Sequence, residues 1–506
     1  MSPDQKKKLA AYESLCPVAR TLLEILSVLV LPITRATATG LLNRAGIGPS
    51  GGQRFTLASL VPLLLELRGQ FLIASDGQRI KCPSEIREIV ARSAERSGRF
   101  PKWARLVGGV IDKRHYSYTK LKRSYYERRA LFERLRIAVY LDDLAEFHAL
   151  MEEWDHEYGD SVTLAHPLEE IFSRPFDAAW AGTRDLAIRI PAMYSIALRK
   201  VTALEPAKEA VEVLEAVGAG SEALSRPQRE LVAWHGMLRG DFAAAAAWPH
   251  PEDIVMRHQL QGWRRCALRD WNGAARAFGQ ALGRVRKDAG RAAEALHPLA
   301  GALYLIALLG TRDPVRLREG NAYLSRCMHA SEDCKTLFVL LQRALHRLTA
   351  AREAAGAPLV RPAQLESTSP VFRPLAFAAL CWVDPAVAKK CRDGMLRLKR
   401  TAAAGGYRWI ESELVAVLNR ARAEGDEKIL PRQAVAELGA VPLVDAIAHE
   451  RPWEHRLRAL QFLGDEVRSK ADAKQPAHSR LTWRVGGSQR PESVHPFEQR
   501  LSLIHI

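Results

Sequence analysis

The sequence predicts a mainly α chain: a small helix-and-hairpin domain first, then a divergent α-solenoid of helix pairs, then a short β-containing tail. Three observations carry this. From Ala138 to about Val467 the residues are rich in Ala, Leu, Glu and Arg, with Pro and Gly mostly between periodic stretches and no convincing strand. Within that segment, Trp234 and Trp263 stand 29 positions apart, and so do Asp241 and Asp270. Ahead of it, Asp76-Gly77 joins two short runs and is a strong hairpin signal.

The elements of residues 1–98 follow in order. Pro17 sits at a helix start, and Leu22, Leu23, Leu26 and Leu29 recur at helical spacing until Pro32 ends the helix. A second helix covers Thr34–Arg44 and stops at Gly46 and Gly48. A third, Thr56–Arg68, opens on Thr56 as N-cap and ends at Gly69. The hairpin Phe71–Ile80 comes next, and Ser84 leads into a last helix over Glu85–Ala94. Three helices plus a hairpin resemble a winged helix-turn-helix, so the segment is expected to be a winged-helix-like domain. A DNA-reading third helix presents Arg, Lys, Asn or Gln to base edges. Thr56–Arg68 offers mainly apolar side chains with one Glu and one Arg, and is expected to pack against protein.

Residues 99–137 form a basic aromatic helical connector. Lys113, Arg114, Lys120, Lys122, Arg123, Arg128 and Arg129 are candidates for neutralising nucleic-acid phosphates, with Tyr116, Tyr118, Tyr125 and Tyr126 to stack on bases. The same pattern also fits an amphipathic connecting helix whose tyrosines pack on the array. Residues 138–468 are the array itself. Gly240-Asp-Phe-Ala-Ala-Ala and Arg269-Asp-Trp-Asn-Gly-Ala-Ala-Arg-Ala-Phe278 are turns followed by Ala-rich helices. They resemble a tetratricopeptide helix pair, in which small residues let helices approach while an aromatic fills the next layer. Leu141–Phe147 and Gly405–Trp409 read as degenerate copies. Residues 469–479 are a polar linker, and 480–500 begin a β-containing module with the alternating Arg480–Val485.

Charge narrows the partners. In 506 residues, 74 Lys+Arg oppose 57 Asp+Glu, leaving +17, which favours a phosphate-bearing or acidic partner. No apolar run reaches the ~18–20 residues of a membrane span. Leu22–Leu31 comes nearest, but Glu24 breaks it and Pro32 follows, so no membrane partner is expected. Seven cysteines without regular spacing fit reduced thiols and a cytoplasmic protein.

Several motifs are weighed and set aside. Gly46-Ile-Gly-Pro-Ser-Gly-Gly52 matches both a dinucleotide fingerprint and a serine elbow, but each needs a preceding strand where a helix is predicted. Cys327–Cys334 lacks a second ligand pair, and His449-Glu450 with His455 misses the spacing of a zinc-binding helix. No Gly-x-x-x-x-Gly-Lys-Ser/Thr occurs. No catalytic, cofactor-binding or metal-binding residue is therefore expected here.

The order of parts, running through Arg480-Leu-Thr-Trp-Arg-Val485 toward His495-Pro-Phe-Glu-Gln499, is similar to the N-terminal half of large bacterial SWI/SNF-type helicase-like ATPases. The resemblance implies the regulatory or scaffolding half of a DNA-dependent ATPase, a DNA translocase whose motor uses ATP and Mg outside these residues. It implies weak, non-specific DNA binding and a protein partner on the solenoid. None of the motor's motifs occurs, so no catalytic residue carries over. Leu501–Ile506 can be encoded by CTG TCT CTT ATA CAC ATC, which resembles a transposon-based sequencing adapter. Residues 501–506 are expected to be non-biological and the motor to be truncated away. The alternative is a stand-alone winged-helix and helical-repeat transcriptional regulator or protein-interaction adaptor.

Overall fold

Twenty-four helices and one small sheet make up the described part of the computed structural model, residues 3–49, 53–114, 120–158, 166–218, 224–246, 248, 252–289, 296–327, 332–349, 361–421 and 429. The mainly α expectation holds. The expected linker, the β-containing module and residues 501–506 lie outside the described residues. The chain divides into two compact units, residues 1–196 and 197–506.

In the first unit, α1 (Pro3–Glu13) precedes α2 (Pro17–Val28), which has Pro17 in its first turn and buries Leu22, Leu23 and Leu26. After Pro32 the chain makes a two-residue strand, β1 (Ile33–Thr34), absent from the sequence expectation. Two residues are too few to show alternation, and this strand exists only by pairing with one distant in sequence. Thr34 then caps α3 (Arg35–Arg44), its hydroxyl accepting from the Thr37 N–H at 3.1 Å. Thr56 and Ser59 form a capping box on α4 (Leu57–Gly69). The hairpin is β2 (Ala74–Asp76) and β3 (Arg79–Lys81), with Gly77 at φ +57° in the turn. Both partners pair antiparallel to β3, giving the order β1-β3-β2 with Ile33 and Ser75 each opposite Ile80.

Next come α5 (Ser84–Arg96), α6 (Phe100–Arg114), α7 (Lys120–Leu141), α8 (Leu144–Tyr158), α9 (Pro167–Ser173), α10 (Ala178–Gly182) and α11 (Leu186–Thr202), whose last residues belong to the second unit. The expected segment ends at 98 and 137 fall inside this unit, where α6 and α7 share buried polar contacts with α2 and α5. The Glu24 carboxylate, on α2, accepts from Tyr12 Oη at 2.9 Å, Arg99 Nε at 2.9 Å and Trp103 Nε1 at 3.0 Å. On α7, Glu133 accepts the Val30 and Leu31 N–H groups at 2.5 and 2.6 Å, satisfying backbone donors where the chain leaves α2. Arg136 donates through Nε to both oxygens of Glu88 on α5, at 2.8 and 3.0 Å, and through Nη1 to the Val28 carbonyl at 3.1 Å. Tyr140 adds a 2.8 Å hydrogen bond to Glu88.

The second unit contains α12 (Lys208–Gly218), α13 (Arg226–Arg239), α14 (Phe242–Ala246), α15 (Ile254–Ala267), α16 (Trp271–Ala289), α17 (Pro298–Thr311), α18 (Pro314–Cys327), α19 (Glu332–Thr349), α20 (Pro362–Ser367), α21 (Arg373–Val383), α22 (Pro385–Lys390), α23 (Arg392–Gly405) and α24 (Arg408–Arg420). The 29-residue offset corresponds to two helix–turn–helix units, α13–α14 and α15–α16, with Trp234 and Trp263 both buried.

One turn geometry recurs at all four sites the sequence singles out. A residue in the left-handed region ends the helix: Asp142 (φ +50°), Gly240 (+83°), Arg269 (+58°) and Gly406 (+76°). The next residue donates its N–H five positions back, Asp143 to Ala138, Asp241 to Gly236, Asp270 to Arg265 and Tyr407 to Ala402. The following residue starts a new helix, and Asp143 and Asp270 cap it through their carboxylates at 3.1 and 2.9 Å. An open stack of repeats makes contacts only between neighbours. Here α24 instead returns to pack on α13 and α21. Trp409 meets Trp263 edge-on, with ring centroids 5.1 Å apart, and Arg408 Nε donates to the Arg239 carbonyl at 3.0 Å.

Two stability measurements follow. Arg136→Ala strands a buried carboxylate and should cost about 3–5 kcal/mol in denaturant unfolding. Adding Glu88→Gln should restore part of that loss; additive costs would show that the pair does not interact. Gly406→Ala meets no neighbouring atom within 4 Å, so its expected loss of about 1 kcal/mol is purely backbone.

Candidate functional site

Helix α4 carries an unusual outward face. Leu60, Leu63, Leu64 and Leu67 are buried against the unit's core, and the capping box fixes where the helix starts. On the other side, Leu57 is 56% exposed, Val61 41% and Leu65 62%, a stripe at i, i+4 and i+8. Phe71 extends the apolar surface just beyond the helix end. It is 73% exposed and held at φ +57°, a conformation bulky residues rarely adopt. Over residues 33–82, the stretch of chain that contains α4, the exposed charges are the cations Arg35, Arg44, Arg54, Arg68, Arg79 and Lys81 and the acids Glu66 and Asp76. An apolar stripe in a cationic setting can bury a partner's apolar side chains while attracting acidic ones.

The basic connector is distributed differently. Lys113 and Arg114 end α6, while Lys120, Lys122 and Arg123 lie at the start of α7. Their side chains, and those of Tyr116, Tyr118, Tyr125 and Tyr126, lie outside the described residues. Arg128 and Arg129 are half-buried. Arg129 Nη1 lies 3.5 Å from Glu170 Oε1, an oxygen that also accepts from Arg87 Nη2 at 3.0 Å. From Ala130 onward α7 buries Leu131, Phe132, Leu135 and Val139 and is a structural helix.

The motifs set aside on sequence take ordinary positions. Gly46, at φ +75°, ends α3, so a helix rather than a strand precedes the Gly-rich loop; residues 50–52 lie outside the described residues. Cys327 and Cys334 are both buried, and burial pushes the Cys327 thiol up to about 11. His449, Glu450 and His455 lie outside the described residues. Among the described residues, no group of three His, Cys, Asp or Glu side chains is placed to hold a metal, and no helix is long and apolar enough to cross a membrane.

What sequence reading missed is the use of charge in the interior. Arg92, on α5, donates to the carbonyls of Pro175 at 2.7 Å and Ile171 at 3.0 Å, near the end of α9. Its guanidinium also lies 4.3 Å from the Trp180 ring centroid. No protein-family model, curated protein or solved structure matches the chain.

Two histidines, His235 buried and His166 half-buried with both ring nitrogens shielded, give a pH signature. Burial lowers His166, ahead of α9, to about 4, and among the described residues neither of its ring nitrogens has a hydrogen-bond partner. Burial likewise lowers His235 to about 4; its ring packs edge-on against Tyr407 at 5.8 Å. The unfolded chain binds these protons near pH 6.5 and the folded chain only near 4. Their contribution is therefore complete above pH 6.5 and is lost as pH falls toward 4, at up to about 3 kcal/mol per site. His166→Gln should flatten that dependence in urea titrations across this range; an unchanged slope would show that His166 does not titrate with folding.

Proposed function

We propose that this chain is a regulatory and scaffolding segment of a DNA-dependent ATPase of the SWI/SNF helicase-like type, and that α4 is one of its protein-contact surfaces. The observation that carries the contact is the exposed stripe of Leu57, Val61, Leu65 and Phe71. The order of helix, short strand, two helices and hairpin, with the sheet order β1-β3-β2, supports a winged-helix-like reading of the domain. In that reading α4 occupies the place of the DNA-reading helix, and its outward side chains are those of a protein-binding surface. The occupant that fits is an amphipathic helix with an apolar stripe flanked by Asp and Glu, because the exposed charges of residues 33–82, which include α4, are six cations to two acids.

The recurrent turns of the second unit support a divergent tetratricopeptide-like α-solenoid as a further scaffold. ATP and Mg belong to the motor of such an ATPase; no phosphate-cradling Gly-x-x-x-x-Gly-Lys-Ser/Thr lies in these 506 residues. DNA contact falls to the connector, through non-specific phosphate neutralisation at ~10⁻⁴–10⁻⁶ M near physiological salt. The stand-alone regulator or adaptor remains the alternative, and α4 serves it equally.

Binding measurements separate the surfaces. A synthetic amphipathic peptide with Leu at i, i+4 and i+8 and Glu flanks should bind the chain, and Val61→Asp with Leu65→Asp should weaken it at least tenfold. The same peptide with Lys flanks should bind more weakly. Duplex DNA should be indifferent to the α4 changes, but weakened by joint replacement of Lys120, Lys122, Arg123, Arg128 and Arg129 with Gln. DNA binding lost with the α4 variant, and no peptide binding, would overturn the assignment.

A further inference from the structure

We propose that the cleft between β3, α5, α7 and α9 is a binding site for a phosphoryl anion. The cleft has a volume of about 340 Å³, and Val30, Leu31 and Pro32 form its apolar wall. Among the described residues its polar lining is unbalanced: Lys81, Arg87, Arg129 and Arg174 stand against the one carboxylate of Glu170. Glu170 is already shared, since one of its oxygens serves both Arg87 and Arg129. Lys81 and Arg174 are exposed and make no ion pair among the described residues.

The buried member makes the imbalance significant. Arg87 is 5% exposed, so its charge is largely removed from water. Its second carboxylate neighbour, Glu88, lies 3.4 Å from Nε but is engaged by Arg136 through both oxygens and by Tyr140. Lys81 and Arg174, with no ion pair among the described residues, thus supply two positive charges beside the buried Arg87, which suits a doubly charged anion held by an ammonium and guanidinium forks that match phosphoryl oxygens. The apolar wall excludes water from one side and strengthens those contacts.

A second feature points the same way. Ser84, the first residue of α5, lines the cleft, and the N-cap of that helix, Pro83, offers no side-chain acceptor to the first-turn N–H groups. A thirteen-residue helix thus begins at the cleft without a side-chain cap; the Pro83 carbonyl takes the Ile86 and Arg87 N–H groups, Glu85 stands in the first turn outside the cleft lining, and the Ser84 hydroxyl faces the cleft with the helix start. Two sources carry such a group, a small phosphorylated molecule and the backbone of a nucleic acid, and both present the same oxygens. No stripe residue lines the cleft, and the site does not depend on the function proposed for α4.

Calorimetry on the full 506-residue chain tests this at constant ionic strength, with inorganic phosphate, pyrophosphate and a 12-base-pair DNA duplex as probes. Saturable pyrophosphate binding is expected, weakened at least tenfold by Lys81→Gln with Arg174→Gln. Both side chains are exposed, so the ligand-free melting temperature should be unchanged in that variant. Duplex DNA that competes with pyrophosphate and is weakened by the same substitutions would identify the backbone as the source. Pyrophosphate binding without competition would identify a small molecule. No saturable binding of any probe, or equal affinity in parent and variant, would overturn the site.

Discussion

Glu88 and Arg136 meet with their side chains 1% and 0% exposed, and the first unit is organised around that contact. Burial alone would raise the Glu88 carboxyl; Arg136 and Arg87 outweigh it and hold the group below the usual carboxylate range. The arrangement fixes three things at once. It sets α7 against α5, lets Arg136 reach the last carbonyl of α2, and leaves Arg87 turned toward Glu170. Two charges so far from water gain little net stability over a well-packed apolar pair. What they provide is directional: an apolar contact tolerates sliding, whereas a guanidinium on both oxygens of one carboxylate fixes the register between helices.

The same constraint ties the candidate surfaces together. The connector cations Lys120, Lys122 and Arg123 sit at the start of a helix whose second half is anchored through Glu133, Arg136 and Tyr140. Arg129 stands where the two halves meet, and its pairing with Glu170 joins a residue read as a phosphate ligand to an internal cluster. Unlike the connector, α4 owes its outward face to local geometry. Its capping box starts the helix at Leu57, and the four buried leucines determine which residues remain outside.

Local signals were legible in the sequence, and tertiary ones were not. Thr56 as a cap, the Asp76-Gly77 turn and the 29-residue offset each depend on neighbours along the chain, and each has its structural counterpart. Arg312-Asp313 shares the Arg-Asp dipeptide of Arg269-Asp270 and its left-handed first residue (φ +54°), but not its hydrogen bonding, because the Asp313 N–H turns to Thr311 Oγ1 at 3.4 Å. β1 has no local signature, because its pairing partner lies more than forty positions away. Glu24, Glu88 and Arg136 look like solvated positions on amphipathic helices; only the approach of other helices makes them interior. The apolar character of α4 was readable, but that half of it faces outward was not.

The return of α24 has a consequence during synthesis. Trp263 packs on Trp409, which emerges from the ribosome 146 residues later. At about 5–20 residues per second, that interval is about 7–30 s. Until it ends, α13 and α15 are complete helices whose apolar sides have no cover from α24. The apolar sides of α13 and α15 that α24 covers in the finished fold therefore stay open through that wait, longest at Trp263.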